Sequence, residues 1–312
     1  MNVLVTGATG FIGRNLLKVM YRKNWNPYVL RSDYDDIRML PEESLDHVIS
    51  SHDAFEGNFK TIVGKSLPDF DVVIHLAASG VVSNADFDQL VSGNIVYTSR
   101  VLQFSRRINS KRFIHVGSCS EYAPSEKEEF ITESHPIAPT SMYGATKAAA
   151  SALVSSFARI HGFSAIIVRP FNVFGVWESP RRLVPQIING ILGNSQVNLS
   201  KGTQLRDFIF VEDVATAIIE IAQSEEDLYG AYNLCTGKAT SVRRFVETIC
   251  DVLGKGHDLM KFGVIEMKQG ENLWMVGDNK RIISDTNWKP GYSLEEGIIK
   301  TYEWLKQEGA SS

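Results

Sequence analysis

Short apolar runs alternate with amphipathic stretches of helix length from the first residues onward. The apolar runs that predict strands lie at residues 2–6, 27–31, 71–76, 112–116 and 164–169. The helical patterns between them cover residues 11–23, 87–108 and 139–161. Strands and helices that alternate in this way form a parallel sheet with helices on both faces. The pattern therefore predicts an α/β fold, a Rossmann-type doubly wound parallel sheet.

After residue 172 this alternation becomes irregular, with loops rich in proline and glycine between shorter elements. We therefore predict two parts. A dinucleotide-binding Rossmann domain covers residues 1–171, and residues 205–234 return to it. A smaller C-terminal α/β lobe, which binds the substrate, covers residues 172–204 and 235–312.

A glycine-rich turn follows the first predicted strand directly. It reads Gly7-Ala8-Thr9-Gly10-Phe11-Ile12-Gly13. In such a turn Gly7 permits the tight bend, Gly10 lets a pyrophosphate approach the backbone, and Gly13 lets the helix pack closely on the strand. N–H groups at the start of the helix then face the phosphates. A dinucleotide site is the expected consequence.

The end of the second predicted strand bears on the choice between NAD and NADP. A site selective for NAD usually carries an acidic residue there, which binds the adenosine ribose. This chain has Arg31 and Ser32 instead, so Arg31 favours a 2'-phosphate and therefore NADP. Arg14 is a further candidate contact. In the alternative, Arg31 is a surface residue and Asp33 binds the ribose of NAD.

Composition restricts the classes of partner. The net charge of -4 and the pI near 6.0 provide no general basic field for nucleic acid or an anionic membrane. The apolar stretches are of strand length, and no basic leader precedes them, so we expect a cytoplasmic protein. Cys119, Cys235 and Cys250 have neither metal spacing nor an even count, so we expect reduced thiols and no bound metal.

Tyr143 and Lys147 are four residues apart in a helical pattern, which places them on one face. The ordinary pKa of tyrosine is about 10, and a nearby ammonium favours the phenolate. We therefore expect Lys147 to lower the pKa of Tyr143. A lower pKa makes Tyr143 a better proton donor to the alkoxide that forms during reduction.

The predicted strand at residues 112–116 leads into Gly117-Ser118-Cys119-Ser120-Glu121-Tyr122. Open α/β sheets bind their ligands at this edge. Ser118 is thus a candidate hydrogen-bond partner of the reacting oxygen, and Ser120 can touch a substrate beside it. An ordinary serine-rich turn is the alternative. Because no histidine lies near Cys119 in sequence, we do not expect a thiol nucleophile.

These motifs resemble those of the extended short-chain dehydrogenases/reductases, the NAD-dependent epimerase/dehydratase family, which mostly act on nucleotide-linked sugars. His75-Leu76-Ala77-Ala78 resembles the fourth-strand motif, and Asn94 the central-helix asparagine. Ser118, Tyr143 and Lys147 match the catalytic serine, tyrosine and lysine. The resemblance implies a cofactor site formed by Gly7, Thr9, Gly10, Phe11, Ile12, Gly13, Arg31, Ser32, Leu76, Ala77, Ala78, Tyr143, Lys147 and Pro170.

The resemblance covers the second half of the chain as well. Residues 169–175 are similar to the family segment R-x-x-N-V-Y-G, whose asparagine helps to hold the diphosphate of the substrate. Arg206 is then the expected diphosphate contact, because a guanidinium group matches phosphate oxygens. Lys268 stands where another such arginine is expected. The implied substrate-binding residues are Ser118, Ser120, Tyr143, Asn172, Leu183, Val184, Arg206 and Lys268.

The family's sugar-nucleotide 4,6-dehydratases carry an Asp-Glu pair directly after the catalytic serine or threonine. Here Cys119 and Ser120 follow Ser118, and Glu121 is displaced by one position. Elimination of water then lacks its proton donor, so dehydration is not the leading hypothesis.

Three activities stay open. The C-terminal segment, residues 262–289, is similar to that of nucleotide-sugar 4-ketoreductases such as CDP-abequose synthase, which favours NADP-dependent reduction of a nucleotide-linked 4-keto-6-deoxyhexose. A 4-epimerase with tightly held NAD would use the same three catalytic residues. A sensor that binds NADP(H) without turnover is the third reading. The resemblance also implies a homodimer formed through the helices at 87–108 and 139–161.

Overall fold

The computed structural model describes residues 1–32, 35–56, 61–62, 65–80, 85–125, 128–267 and 271–311. The strands are β1 (Asn2–Thr6), β2 (Asn26–Arg31), β3 (Val48–Ser50), β4 (Thr61–Ile62), β5 (Lys65–Ser66), β6 (Val72–His75), β7 (Arg112–Val116), β8 (Ala165–Pro170), β9 (Asn172–Phe174), β10 (Val197–Leu199), β11 (Leu205–Arg206), β12 (Phe208–Phe210), β13 (Gly230–Leu234), β14 (Thr240–Ser241), β15 (Met260–Phe262) and β16 (Trp274–Met275).

The α-helices are α1 (Phe11–Arg22), α2 (Ser51–Phe55), α3 (Phe87–Val91), α4 (Tyr97–Arg107), α5 (Met142–His161), α6 (Leu183–Leu192), α7 (Val211–Gln223), α8 (Val242–Leu253), α9 (Lys280–Asp285) and α10 (Leu294–Ser311). A π-helical segment, Ser92–Val96, joins α3 to α4. Short 3-10 helices cover Ile37–Met39, Glu42–His47, Cys119–Glu121 and His257–Leu259.

Seven strands form the central sheet in the order β13-β8-β7-β6-β1-β2-β3. Each neighbouring pair in this sheet is parallel. The chain builds the sheet outward from β1 in one direction and from β6 in the other, so the order reverses between β1 and β6. Open α/β sheets bind their ligands at this switch point. The predicted Rossmann-type doubly wound sheet is confirmed.

Helices cover both faces of the sheet, because successive residues of a strand point to opposite faces. Val5 and Ile74 belong to a large core cluster on one side, together with residues of α1, α6 and α7. Their neighbours Leu4 and Val73 belong to a second cluster, with residues of α4 and α5. Both faces are therefore buried, which explains why the strand sequences are apolar runs rather than alternating patterns.

Two helices differ from the bounds that the pattern predicted. α5 begins at Met142 rather than at residue 139, because Ser141 is its N-cap and its Oγ accepts a hydrogen bond from Gly144 N at 3.0 Å. The predicted helix at 87–108 exists, but the π-helical segment Ser92–Val96 interrupts it. Hydrophobic periodicity reveals neither detail, because the first depends on one polar side chain and the second on the pairing of backbone hydrogen bonds.

The second half of the chain forms small sheets beside the central one. β11 lies between β14 and β16, β10 pairs with β15, and β9 pairs with β12. β13, by contrast, joins the edge of the central sheet next to β8. The division into a dinucleotide domain and a substrate lobe stays a prediction.

Candidate active site

The glycine turn lies at the switch point between β1 and β6. Gly7 has φ +66°, and a Cβ atom there would lie 2.6 Å from Ala77 N. At Gly13 a Cβ atom would lie 2.2 Å from Gly7 O, so the start of α1 packs directly on the turn. Gly10 is the N-cap of α1 and has no side chain to occupy the first N–H groups of the helix. These features fit a dinucleotide pyrophosphate.

A buried chain of hydrogen bonds fixes the segment after β6. His75 Nδ1 lies 2.7 Å from Thr6 Oγ1, and His75 Nε2 lies 2.8 Å from Thr98 Oγ1. Thr6 Oγ1 also accepts from Ala77 N at 3.2 Å. Burial, and to a smaller extent the charge of Lys147, lower the pKa of His75 to about 3. The neutral ring therefore ties β1 to α4 and holds Ala77 against the glycine turn.

Asp35 occupies the end of the candidate cofactor site beyond β2. Its Oδ1 accepts from Thr9 Oγ1 at 2.7 Å. Its Oδ2 accepts from the N and the Oγ of Ser32 at 2.7 and 3.0 Å. Arg31 ends β2 directly before Ser32 and is partly exposed. Asp33, the alternative ribose ligand, lies outside the described residues. Asp35 was not predicted, because a loop residue four positions past the strand has no fixed direction.

Arg14, a candidate cofactor contact, is directed elsewhere. Its Nη2 donates to Trp177 O at 3.3 Å, and its guanidinium lies 4.9 Å from the centre of the Trp177 ring. It therefore joins α1 to the loop after β9. We withdraw it as a candidate for the 2'-phosphate.

The turn after β7 holds Ser118 in place. Ser118 is the N-cap of the 3-10 helix Cys119–Glu121, and its Oγ accepts from Ser120 N at 3.1 Å. A Cβ atom on Gly144 would lie 2.2 Å from Ser120 O, so α5 packs directly against this turn. The close approach brings Tyr143 to Ser118, and a hydrogen bond joins their side chains.

The pKa of Tyr143 moves against the expectation. Burial raises it to about 12, and the hydrogen bond with Ser118 offsets only part of that effect. Lys147 lies one turn further along α5 and is buried, with Nζ donating to Val116 O at 2.7 Å. Burial lowers the pKa of this ammonium to about 8. The expected lowering of the pKa of Tyr143 by Lys147 is therefore not found. Tyr143 is a neutral phenol, a weaker acid than an ordinary tyrosine but still acidic enough to protonate an alkoxide.

Cys119 lies within the same turn and is 8% exposed. Burial raises its pKa to about 12, so the thiol stays protonated and is a poor nucleophile. Cys119, Cys235 and Cys250 are all free.

The candidate substrate residues lie on several elements. Asn172, in β9, donates from Nδ2 to Asp207 O at 3.3 Å. Arg206, in β11, pairs with Glu271 Oε1 at 3.2 Å and lies near enough to Cys119 to lower the pKa of its thiol. Leu183 is partly exposed at the start of α6.

Of two further predicted substrate contacts, one has a buried side chain and the other stays untested. Val184 is 2% exposed and packs in the large core cluster, so only its backbone can meet a substrate. Other apolar residues of α6 pack in the same core cluster. A match to a family motif therefore could not show whether Val184 packs in the core or binds a substrate. Lys268 lies outside the described residues.

Arg182 and Glu178 are charged residues near the candidate site that the sequence argument missed. Arg182 Nε lies 3.1 Å from Glu178 Oε1, and Glu178 is buried, which raises its pKa to about 7. Arg182 also lies near enough to Tyr143 and Cys119 to lower the pKa of both. No signal in the sequence distinguishes this arginine from its exposed neighbour Arg181.

In the part of the chain that the structure describes, no group of three His, Cys, Asp or Glu residues is placed to hold a metal ion. None of the helices in this part is long and apolar enough to cross a membrane.

A Rossmann-type sheet that presents a serine, a tyrosine and a lysine at its carboxyl edge defines a short-chain dehydrogenase/reductase. The chain belongs to the NAD dependent epimerase/dehydratase family, whose model matches residues 3–235. It is 29% identical over 306 residues to the low-salt glycan biosynthesis protein Agl12 of Haloferax volcanii, covering 96% of both chains.

The chain is also 28% identical to a dTDP-glucose 4,6-dehydratase of Haemophilus influenzae. The alignment covers 100% of both chains. Among solved structures, MoeE5 in complex with UDP-glucuronic acid and NAD is 26% identical with a TM-score of 0.84, covering 99% of this chain and 100% of that one.

Proposed function

We propose that the protein reduces the C4 ketone of a nucleotide-linked 4-keto-6-deoxyhexose with NADPH. The joint placement of Ser118, Tyr143 and Lys147 at the carboxyl edge of the sheet supports hydride transfer at a carbon-oxygen centre. The observation that favours NADPH, and with it reduction over epimerisation, is the position of Arg31 at the end of β2. Two similar proteins support the assignment of a nucleotide sugar as substrate. One is the dTDP-glucose 4,6-dehydratase, and the other is MoeE5, which was solved with UDP-glucuronic acid and NAD.

The roles of the three residues follow from their protonation. When bound, the nicotinamide supplies the hydride. Tyr143, a neutral phenol, donates a proton to the oxygen at C4, and Ser118 holds that oxygen by a hydrogen bond. Lys147 is held by its hydrogen bond to Val116 O and is the expected contact of the nicotinamide ribose.

The residues after Ser118 do not provide the acid that dehydration requires. A dehydratase needs an acid there, to protonate the leaving hydroxyl group. Cys119 is a protonated, buried thiol, and Ser120 is a hydroxyl. Glu121 is fully buried in an ion pair with Arg169, so its carboxylate cannot reach a sugar.

The contacts of Asp35 bear on the cofactor. Thr9 and Ser32 direct three donor groups to one carboxylate beside Arg31. A 2'-phosphate needs donors of this kind, and it can replace the carboxylate of Asp35 as their acceptor. The carboxylate repels an anionic phosphate, however, so the support for NADPH comes from the positive charge of Arg31 at the end of β2. The same carboxylate could instead accept from the ribose hydroxyls of NAD, which is the observation that favours an NAD-dependent 4-epimerase as the second candidate.

A turnover assay separates the candidate activities. The purified protein is mixed with NADPH and with 4-keto-6-deoxyhexoses linked to different nucleotides, and the absorbance of NADPH is followed. Reduction predicts oxidation of one NADPH for each sugar consumed. Exchange between C4 isomers without net change of cofactor would favour the epimerase. Binding without turnover that is unaffected by Tyr143→Phe would favour a sensor of NADP(H).

Calorimetric titration of the cofactor-stripped protein with NADPH and NADH tests the cofactor. Arg31→Ala should weaken NADPH binding by about tenfold or more, because a charged hydrogen bond contributes about 1.5–3 kcal/mol, and should leave NADH binding nearly unchanged. Asp35→Ala should leave NADPH binding equal or tighter. If Asp35→Ala weakens NADH binding and Arg31→Ala has no effect, NAD is the cofactor and the epimerase becomes the leading candidate.

A further inference from the structure

Glu121 is a buried carboxylate next to Ser118 that the proposed reaction does not use directly. It is 0% exposed. Its Oε1 accepts from Ser118 N at 2.9 Å, and its Oε2 accepts from Arg169 Nε at 2.8 Å. A buried charge is costly unless it is paired and hydrogen-bonded, so both oxygens need these partners.

The surroundings of Glu121 are shaped for this carboxylate. A Cβ atom on Gly117 would lie 2.2 Å from Glu121 Oε1, so a side chain at that position would displace the carboxylate. Arg169 lies with its guanidinium 4.8 Å from the centre of the Tyr122 ring, and its Nη1 donates to Tyr122 Oη at 3.1 Å. Tyr122 Oη in turn donates to Asn233 Oδ1 at 2.7 Å. The ion pair is thus embedded in a continuous network across β8 and β13.

The charge of Glu121 acts on Lys147, because both groups lie against the same stretch of main chain: Glu121 Oε1 packs on Gly117, and Lys147 Nζ donates to the carbonyl of Val116. Burial lowers the pKa of Lys147, and Glu121 is the carboxylate that raises it. The other titratable groups on this side are His75 and His115, whose pKa values burial holds far below the ordinary value, and the neutral phenol of Tyr143. Glu121 is therefore the negative charge that opposes the loss of the proton from Lys147.

We propose that Glu121 is a positioning residue for hydride and proton transfer: its carboxylate fixes the main chain of Ser118 and supplies the negative charge that acts on the ammonium of Lys147, with Arg169 as its counter-ion. This inference rests on the proposed function for its catalytic meaning. The effects of Glu121 on two atoms of this chain, the Ser118 nitrogen and the Lys147 Nζ, can be measured without any substrate.

The test compares the titration of Lys147 in the full-length protein and in Glu121→Gln, which keeps the shape of the side chain and removes its charge. The signals of lysine side chains labelled with carbon-13 are followed by NMR against pH, and Lys147→Met identifies the signal. Glu121→Gln should move the midpoint of Lys147 to a pH lower by about one. An unchanged midpoint would overturn the proposal.

Loss of one partner leaves Arg169 buried and unpaired, which could prevent folding. The second variant, Glu121→Gln combined with Arg169→Met, removes both charges. Loss of the cation opposes loss of the anion, so the Lys147 midpoint should still move to lower pH, but by less than in Glu121→Gln, and a midpoint that stays or rises would contradict the proposal. Tyr122→Phe is the matched control, because it keeps both charges and removes the two hydrogen bonds that the Tyr122 hydroxyl makes with Arg169 and Asn233. It should lower the melting temperature without moving the midpoint of Lys147.

Activity provides a separate result. With a nucleotide-linked 4-keto-6-deoxyhexose and NADPH, Glu121→Gln should lower kcat more than it raises KM, and its rate should decline at a lower pH than that of the unchanged protein. If the unchanged protein turns over no such sugar, the proposed function fails, while the Lys147 titration still decides the role of Glu121.

Discussion

At the scale of single residues, the site depends on a tyrosine and a lysine that burial affects in opposite ways. Burial raises the pKa of Tyr143 to about 12 and lowers that of Lys147 to about 8. Tyr143 therefore keeps its proton throughout the neutral range, whereas Lys147 loses its charge within reach of ordinary buffers. Sequence spacing placed both residues on one helix face, but the direction of these effects depends on depth in the fold.

These values predict the pH dependence of reduction. Lys147 carries its charge below its pKa, so kcat/KM should be constant at neutral pH and should fall as the pH rises through about 8. Because Tyr143 stays protonated in this range, it should not contribute to the decline. Steady-state rates across this range, with protein stability checked at each pH, provide the measurement. A rate that increases from neutral to alkaline pH would mean that a phenolate of Tyr143 is the active form.

At the scale of elements, Asn94 joins two segments that carry the site. From the π-helical segment Ser92–Val96, its Oδ1 accepts from Ser79 N at 2.7 Å and its Nδ2 donates to Thr146 Oγ1 at 2.9 Å. The first contact fixes the loop after β6, and the second fixes α5. π-Helical turns are frequent at functional sites, and here the turn directs one amide into the protein.

Asn94→Ala should therefore lower stability and activity together. The buried partners lose their hydrogen bonds, so the free energy of unfolding should fall by about 2 kcal/mol or more in a denaturant titration. The rate should fall as well, because α5 carries Tyr143 and Lys147. Glu225→Ala, in the exposed loop after α7, is the control and should change neither. Full stability of Asn94→Ala would show that the two segments are held by other contacts.

The sequence predicted elements well where a long periodic pattern or a glycine motif determines them. β1 and β7 agree with the predicted bounds, and the turn at Gly7 needs a positive φ that glycine adopts readily. The sequence did not reveal which side chains from distant positions pair with each other. Glu121 and Arg169 lie 48 positions apart, and Asp35 reaches Thr9 over 26, so their pairing follows from the strand order and not from spacing.

At the scale of the whole molecule, we propose a homodimer formed through α4 and α5. These helices lie side by side, and α5 exposes small residues such as Ala149. Sedimentation should give about twice the chain mass of 34.8 kDa. Ala149→Arg should shift the protein towards the monomer, because a charged side chain would be buried in the interface. Ala239→Arg, in the exposed loop after β13, should not, and a monomer for the unchanged protein would contradict the proposal.

The central claim is that Ser118, Tyr143 and Lys147 direct a hydride to C4 of a nucleotide-linked keto sugar. The most direct test uses NADPH with deuterium at the transferred position, and NMR of the sugar product. The account predicts deuterium at C4, one NADPH oxidised for each product formed, and a loss of about 10²- to 10⁴-fold in rate for Tyr143→Phe with unchanged NADPH binding. Product without deuterium at C4, or undiminished turnover in Tyr143→Phe, would contradict it.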